Sequence, residues 1–193
     1  MAWLRLEIRE QHSCRANHFA LAAVFLCFWL QWLLPEERFA AFTLTGWQLP
    51  GLLTHPFIHG HSLHLAWNLG LLHVFGGLAA NVLGPTRFCA LWLGFSVAGA
   101  AGHLLAGGAQ AAGASGVIAG CVGFAVASRT EGAVNLLDGA ARLPTSWLAL
   151  ALVVKDIGFA FLPGMGVSVG GHLGGYTAGL LAGLLMRRSP SVK

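Results

Sequence analysis

Gly171-His172-Leu173-Gly174-Gly175-Tyr176-Thr177-Ala178-Gly179-Leu180-Leu181-Ala182-Gly183 contains no lysine, arginine or carboxylate, and Gly175, Gly179 and Gly183 recur every four residues. In a water-exposed helix each such glycine costs about 1 kcal/mol relative to alanine. In a bilayer the same spacing makes one smooth helix face that another backbone can approach closely. The stretch therefore reads as a membrane helix with a packing stripe, and Ser115 onward offers a matching stripe in Gly116, Gly120 and Gly123. The rest of the chain has the same character. Of its 193 residues, 56% are hydrophobic and 9% charged, with 27 glycines, and the mean hydropathy is +0.69. A soluble domain carries charge on about a quarter of its positions, so most of this surface must face lipid.

Six apolar segments follow: Asn17–Leu34, Leu63–Leu83, Arg87–Ala106, Ser115–Ser128, Pro144–Leu162 and His172–Met186. The expected fold is all-α, a polytopic membrane protein of six transmembrane helices forming one domain over 1–193 with a core of about 17–186. The first segment ends at Pro35-Glu36-Glu37 with no small-residue cleavage site, so it reads as a retained span. The fourth and sixth segments are short for a full crossing. Each follows a Gly-rich stretch, which predicts irregular chain lining a sunken cavity on one side. Arg5, Arg9, Arg15, Arg87, Arg129, Arg142, Arg187, Arg188 and Lys193 all fall on one side of a six-crossing topology, and Arg38, beside Glu36 and Glu37, on the other. The positive-inside rule then makes both termini cytoplasmic and opens the cavity outward. The exception is Lys155-Asp156, late in the fifth span. Adjacent residues do not share a helix face, so a snorkelling lysine and an aspartate near the outer surface are expected. A functional role for Asp156 is the lesser reading. The loop 35–51 is too apolar for a solvated linker and reads as lying in the interface, with Trp47 at headgroup level. Of the four cysteines, three lie in apolar runs and read as small buried hydrophobes.

Three clusters carry candidate chemistry. Gly113-Ala114-Ser115-Gly116 opens the fourth span. A serine hydroxyl becomes a nucleophile only when a base takes its proton, and the glycines let a substrate carbonyl approach backbone N–H groups. Alone, a serine beside glycine in a membrane helix is commonly a packing contact. His172 lies one turn above the Gly175, Gly179 and Gly183 face. If the two glycine stripes meet, His172 comes near Ser115, as a nucleophile–base pair requires. The plainer reading is a histidine bonded across helices for stability. The third cluster runs from His55 to Asn68. His64 and Asn68, four apart, share one helix face and offer N–H donors to a developing oxyanion. His55 and His59 are also four apart and suit bracing of the preceding loop. Four histidines in ten residues resemble a metal-ligand cluster as well, although no carboxylate or cysteine stands beside them to complete a usual zinc site.

Taken together, H-x-x-x-H-x-x-x-x-H-x-x-x-N (His55, His59, His64, Asn68), G-A-S-G (Gly113 to Gly116) and G-H-x-x-G-x-x-x-G resemble the rhomboid family of intramembrane proteases from about Leu52 to Gly183. The resemblance implies a rhomboid-like bundle with a Ser115–His172 dyad lacking an acidic third member. It also implies an oxyanion hole of Asn68, His64 and the Ser115 backbone N–H, and no cofactor or metal. The implied partners are the lipid bilayer and transmembrane or membrane-anchored protein substrates, not nucleic acid. The implied location is a bacterial inner membrane, and the implied gate is the fifth helix; its Gly158 and Pro163 either permit local bending or simply end the helix. Many bacterial relatives carry a tyrosine four residues after the nucleophile, packed on the base. Here Ala119 stands there, leaving Tyr176 or a backbone group to orient His172. The compact form also resembles the rhombosortase branch, whose members process secreted proteins with a Gly-Gly-type C-terminal anchor. Two other readings stay open: a catalytically inactive, client-binding rhomboid-like protein, and a histidine-dependent metal protein.

Overall fold

The computed structural model describes residues 4–7, 14–33, 35, 40–136, 141–162 and 166–186. Arg9, Glu36, Glu37, Arg38, Pro163, Arg187, Arg188 and Lys193, used above for orientation and gating, lie outside them. Helix α1 spans Arg15–Gln31 and α2 is the short Gly51–Thr54, continued by a 3-10 turn at His55–Phe57. Ser62–Leu105 is the one described helical run long and apolar enough to cross a membrane, with a mean hydropathy of 1.6. It is not straight. Gly84 adopts φ 72° and ψ 170° immediately before Pro85, a conformation natural only to glycine, so the run divides into α3 (62–83) and α4 (85–105). Then come α5 (Ser115–Ser128), α6 (Thr145–Ala160) and α7 (Val169–Leu185). Each of α3 and α4 is long enough at 1.5 Å per residue to cross a hydrocarbon layer of ~30 Å.

The all-α expectation misses one feature. Short strands β1 (Leu4–Glu7), β2 (Ala133–Leu136) and β3 (Ala141–Pro144) form an antiparallel sheet in the order β1-β2-β3. It ties the start of the chain to the α5–α6 connection, with an exposed Arg142–Glu7 ion pair at 3.3 Å. Strands this short leave almost no period-two signal in a sequence.

α5 is the centre. Every residue from Val117 to Ala125 is buried, as expected of a helix that is apolar all round. α7 and α4 close on it through glycine. A Cβ at Gly175 or Gly179 would strike the carbonyl oxygen of Gly116 or Gly120, and the Cα of Gly99 and Gly116 are similarly apposed. α1 and α6, by contrast, turn many large apolar side chains outward, including Phe25, Trp29, Trp147, Leu150 and Ile157. Within α3, Leu72–Gly76 widens to a π-helical turn, which disturbs the regular backbone ladder. The buried Asn17 side chain donates to the Leu72 carbonyl at 3.1 Å, and Gly76 leaves room for it.

Candidate active site

Ser115 is the first residue of α5, and no side chain caps that end. The opening N–H groups of a helix lack partners in the preceding turn, so α5 presents free backbone donors at Ser115. The approach is fixed by Gly113, whose φ of +115° suits glycine. A Cβ there would also lie 2.7 Å from His64 Cε1. The His64 ring therefore covers the chain just before the serine.

The loops around this point are cross-tied. Leu44 and Ala111 exchange two backbone hydrogen bonds of 2.9 Å, and Gly113 N–H donates to the His55 carbonyl at 2.8 Å. His55 Nδ1 lies 3.1 Å from the Gly51 carbonyl. His59 is fully buried, its ring 4.9 Å from that of His64. The Gln31 side chain donates to the His59 carbonyl at 2.7 Å. His61 begins α3 by accepting from His64 N–H at 3.1 Å. Burial holds the His55 pKa below its usual value. Burial, with the neighbouring His64, lowers that of His59 to about 4. Both rings are thus neutral braces at pH 7. Among the described residues no group of three or more His, Cys, Asp or Glu is placed to hold a metal ion. His55 turns to a backbone carbonyl, His61 to a backbone N–H, and the His59 ring packs against that of His64.

Asn68 is buried and donates one amide N–H to the His64 carbonyl at 2.9 Å. Its second N–H is left for another acceptor. Ser115, Asn68, His172, Ala119, Asp156 and Tyr176 line a single cavity of about 30 Å³, room for a water molecule or two. His172 lies one turn inside α7 rather than at its first residue, because the helix begins at Val169. That start is fixed by Ser168, whose Oγ accepts from Gly171 N–H at 3.1 Å and sits 2.7 Å from His103 Nδ1. Neither Ser168 nor His103 stood out in the sequence, although a serine before a Gly-rich helix start is an N-cap signal.

The larger departure concerns Asp156. Its side chain turns into the bundle rather than out from it. It is buried at 5% exposure, with Oδ1 2.9 Å from His172 Nδ1 and 2.6 Å from Lys155 Nζ. Tyr176 OH donates to Oδ2 at 2.9 Å. Lys155 also lies 5.3 Å from the Phe159 ring. The adjacent pair meets because the lysine stem is long enough to fold back on its neighbour. The signal was in the sequence: Thr145, Ala149, Leu152 and Asp156 are the buried residues of α6, and their spacing is that of one helix face.

No curated protein matches the chain. The family model described as the Rhomboid domain matches residues 46–189, which takes in the histidine cluster, Ser115 and His172. The chain therefore belongs to the rhomboid family, whose members are integral membrane proteins, generally serine proteases, that act on membrane-embedded protein substrates.

Proposed function

We propose that this protein is an intramembrane serine endopeptidase, with Ser115 as nucleophile and His172 as general base, that cuts transmembrane or membrane-anchored proteins. The observation that carries the reading is the convergence of Ser115, His172 and Asn68 on one small cavity at the ends of α5 and α7. His172 Nδ1 faces Asp156, so Nε2 is the ring nitrogen available to the serine. In this scheme Ser115 Oγ attacks the scissile carbonyl while Nε2 takes its proton. The oxyanion is met by the Ser115 N–H, Asn68 Nδ2 and His64, acting from a site built before the substrate arrives. The proton passes from Nε2 to the departing amine, and the C–N bond breaks. A water molecule then repeats the sequence on the acyl-enzyme and frees Ser115.

On this reading α1 and α3 to α7 are six crossings, with Arg15, Arg87, Arg129 and Arg142 at the cytoplasmic end and the cavity opening outward. Both termini face the cytoplasm of a bacterial inner membrane. A cavity of about 30 Å³ holds no peptide, so substrate access requires a helix to move. α6 is the candidate, since its buried contacts are few.

The test is covalent labelling of detergent-purified protein with a fluorophosphonate. Wild type labels, whereas Ser115→Ala and His172→Ala do not. Folded wild type that resists the probe would sink the protease reading and favour an inactive client-binding protein.

A further inference from the structure

We infer that Asp156 is a positioning residue for His172, so that the site works as a Ser115–His172–Asp156 array rather than a dyad. This rests on the protease reading above. Three observations converge. Among the described residues Asp156 is the one carboxylate lining the small cavity. It is buried with Oδ1 2.9 Å from His172 Nδ1. Its other oxygen accepts the Tyr176 hydroxyl, and Lys155 Nζ stands 2.6 Å from Oδ1. A carboxylate taken out of water persists only where such partners surround it. The neighbourhood thus holds an anion against the histidine ring from a helix, α6, that supplies little else to the site.

The consequence is chemical. Oδ1 and Nδ1 are 2.9 Å apart without an aligned hydrogen bond, so a small turn of the ring is what sets the Nδ1 proton on the carboxylate, which can only accept, and leaves the Nε2 lone pair for Ser115. When Nε2 takes the serine proton, the imidazolium forms beside a fixed negative charge. Asp156 remains ionised throughout and no proton moves onto it. It also replaces a missing support. Position 119 is alanine, buried beneath Gly175, so no aromatic ring rises from α5 to pack on His172. Tyr176, one turn along α7 from His172, reaches Asp156 instead of the ring. Orientation is transmitted from α7 to α6 and back.

The full-length protein in detergent, titrated with the fluorophosphonate probe, separates kinact from KI. Asp156→Asn presents an amide N–H to Nδ1 and drives the proton to Nε2. Its kinact should fall ~100-fold or more with KI little changed. Asp156→Glu should recover part of that loss, and Tyr176→Phe should lower kinact ~3- to 10-fold. Rates are normalised to the folded fraction, so a merely structural role would leave kinact intact. Folded Asp156→Asn reacting within about threefold of wild type would overturn the inference while leaving the protease reading standing. If Asp156→Asn does not fold, Tyr176→Phe decides, because it keeps the charge, and an unchanged kinact there overturns the proposal. Wild type that never labels overturns both.

Discussion

Along α5 and α7 the two helices touch through backbone, with Gly175 and Gly179 set against the carbonyls of Gly116 and Gly120. α6 meets the same bundle through four buried side chains, Thr145, Ala149, Leu152 and Asp156, and turns the rest of its surface outward. The first contact has little slack, because the nearest atoms to Gly175 and Gly179 are main-chain carbonyls that cannot rotate away. The second has more, because its side chains have other rotamers and its outer face touches no other part of the described protein. Ser115 and His172, the proposed nucleophile and base, stand on the glycine-packed pair, and Asp156, which lies against His172 Nδ1, stands on α6. A bundle built this way keeps the chemistry fixed while one wall stays free to shift.

The sharpest way to break that contrast is to add carbon to the seam. Gly179→Val places a branched side chain against the Gly120 carbonyl and the Phe124 N–H. The backbone must separate, and overpacking of this kind costs about 3 kcal/mol or more. The expected result is loss of monodisperse, thermally cooperative protein in detergent and of probe labelling with it. Gly183→Ala should cost less, since it adds a single methyl nearer the helix end, against the Ala127 methyl at 2.7 Å and the Phe124 carbonyl at 2.8 Å. A Gly179→Val protein as stable as wild type would mean the seam has slack after all.

The seam was legible in the sequence because a four-residue glycine repeat has only one geometric outcome on a helix. The positions of the helices were legible too. The segment expected at Ser115–Ser128 has those ends in the structure, and the pair split at Arg87 turns at Gly84–Pro85. What escaped depends on which way a side chain folds. Lys155 and Asp156 are neighbours in sequence, and a rule about helix faces says they diverge. The lysine stem nonetheless bends back, and the aspartate turns inward with Leu152. The β1-β2-β3 sheet escaped because its strands are four residues each, and β1 pairs with β2 across more than a hundred residues of chain. Ser168 and His103 escaped because their contact joins α4 to the start of α7.

A smaller effect tests the loops that carry the seam's outer end. His59 is neutral in the folded protein, with its pKa held near 4 against an ordinary 6.5. Between those values the unfolded chain binds the proton and the folded one does not, so stability rises with pH across the window. It is fully present above about pH 6.5 and falls as the pH drops toward 4. The loss between pH 6.5 and 5 is about 2 kcal/mol at 1.4 kcal/mol per unit. Thermal unfolding in detergent at the two pH values measures it. His59→Phe, which fills the site without titrating, should flatten the dependence, and an equally steep fall in that variant would assign it to other groups.

The smallest expected effect lies on the outer face of α6. Leu150, Val154 and Ile157 are exposed at 53%, 58% and 57%, and their neighbours in a membrane would be lipid tails. Lipid is as apolar as the side chains it replaces, so truncation forfeits little packing and no burial from water. Leu150→Ala and Ile157→Ala should each change stability by less than about 0.5 kcal/mol. Probe labelling should stay unaltered, because neither residue lines the cavity. Leu152→Ala on the opposite face should behave differently, since Leu152 is buried and lines the cavity beside Asp156. Its truncation removes the apolar wall over the carboxylate and should cost about 2 kcal/mol or more. If Leu150→Ala proved as damaging as Leu152→Ala, the outer face of α6 would be packed against protein rather than lipid, and this helix would be no looser than the glycine seam.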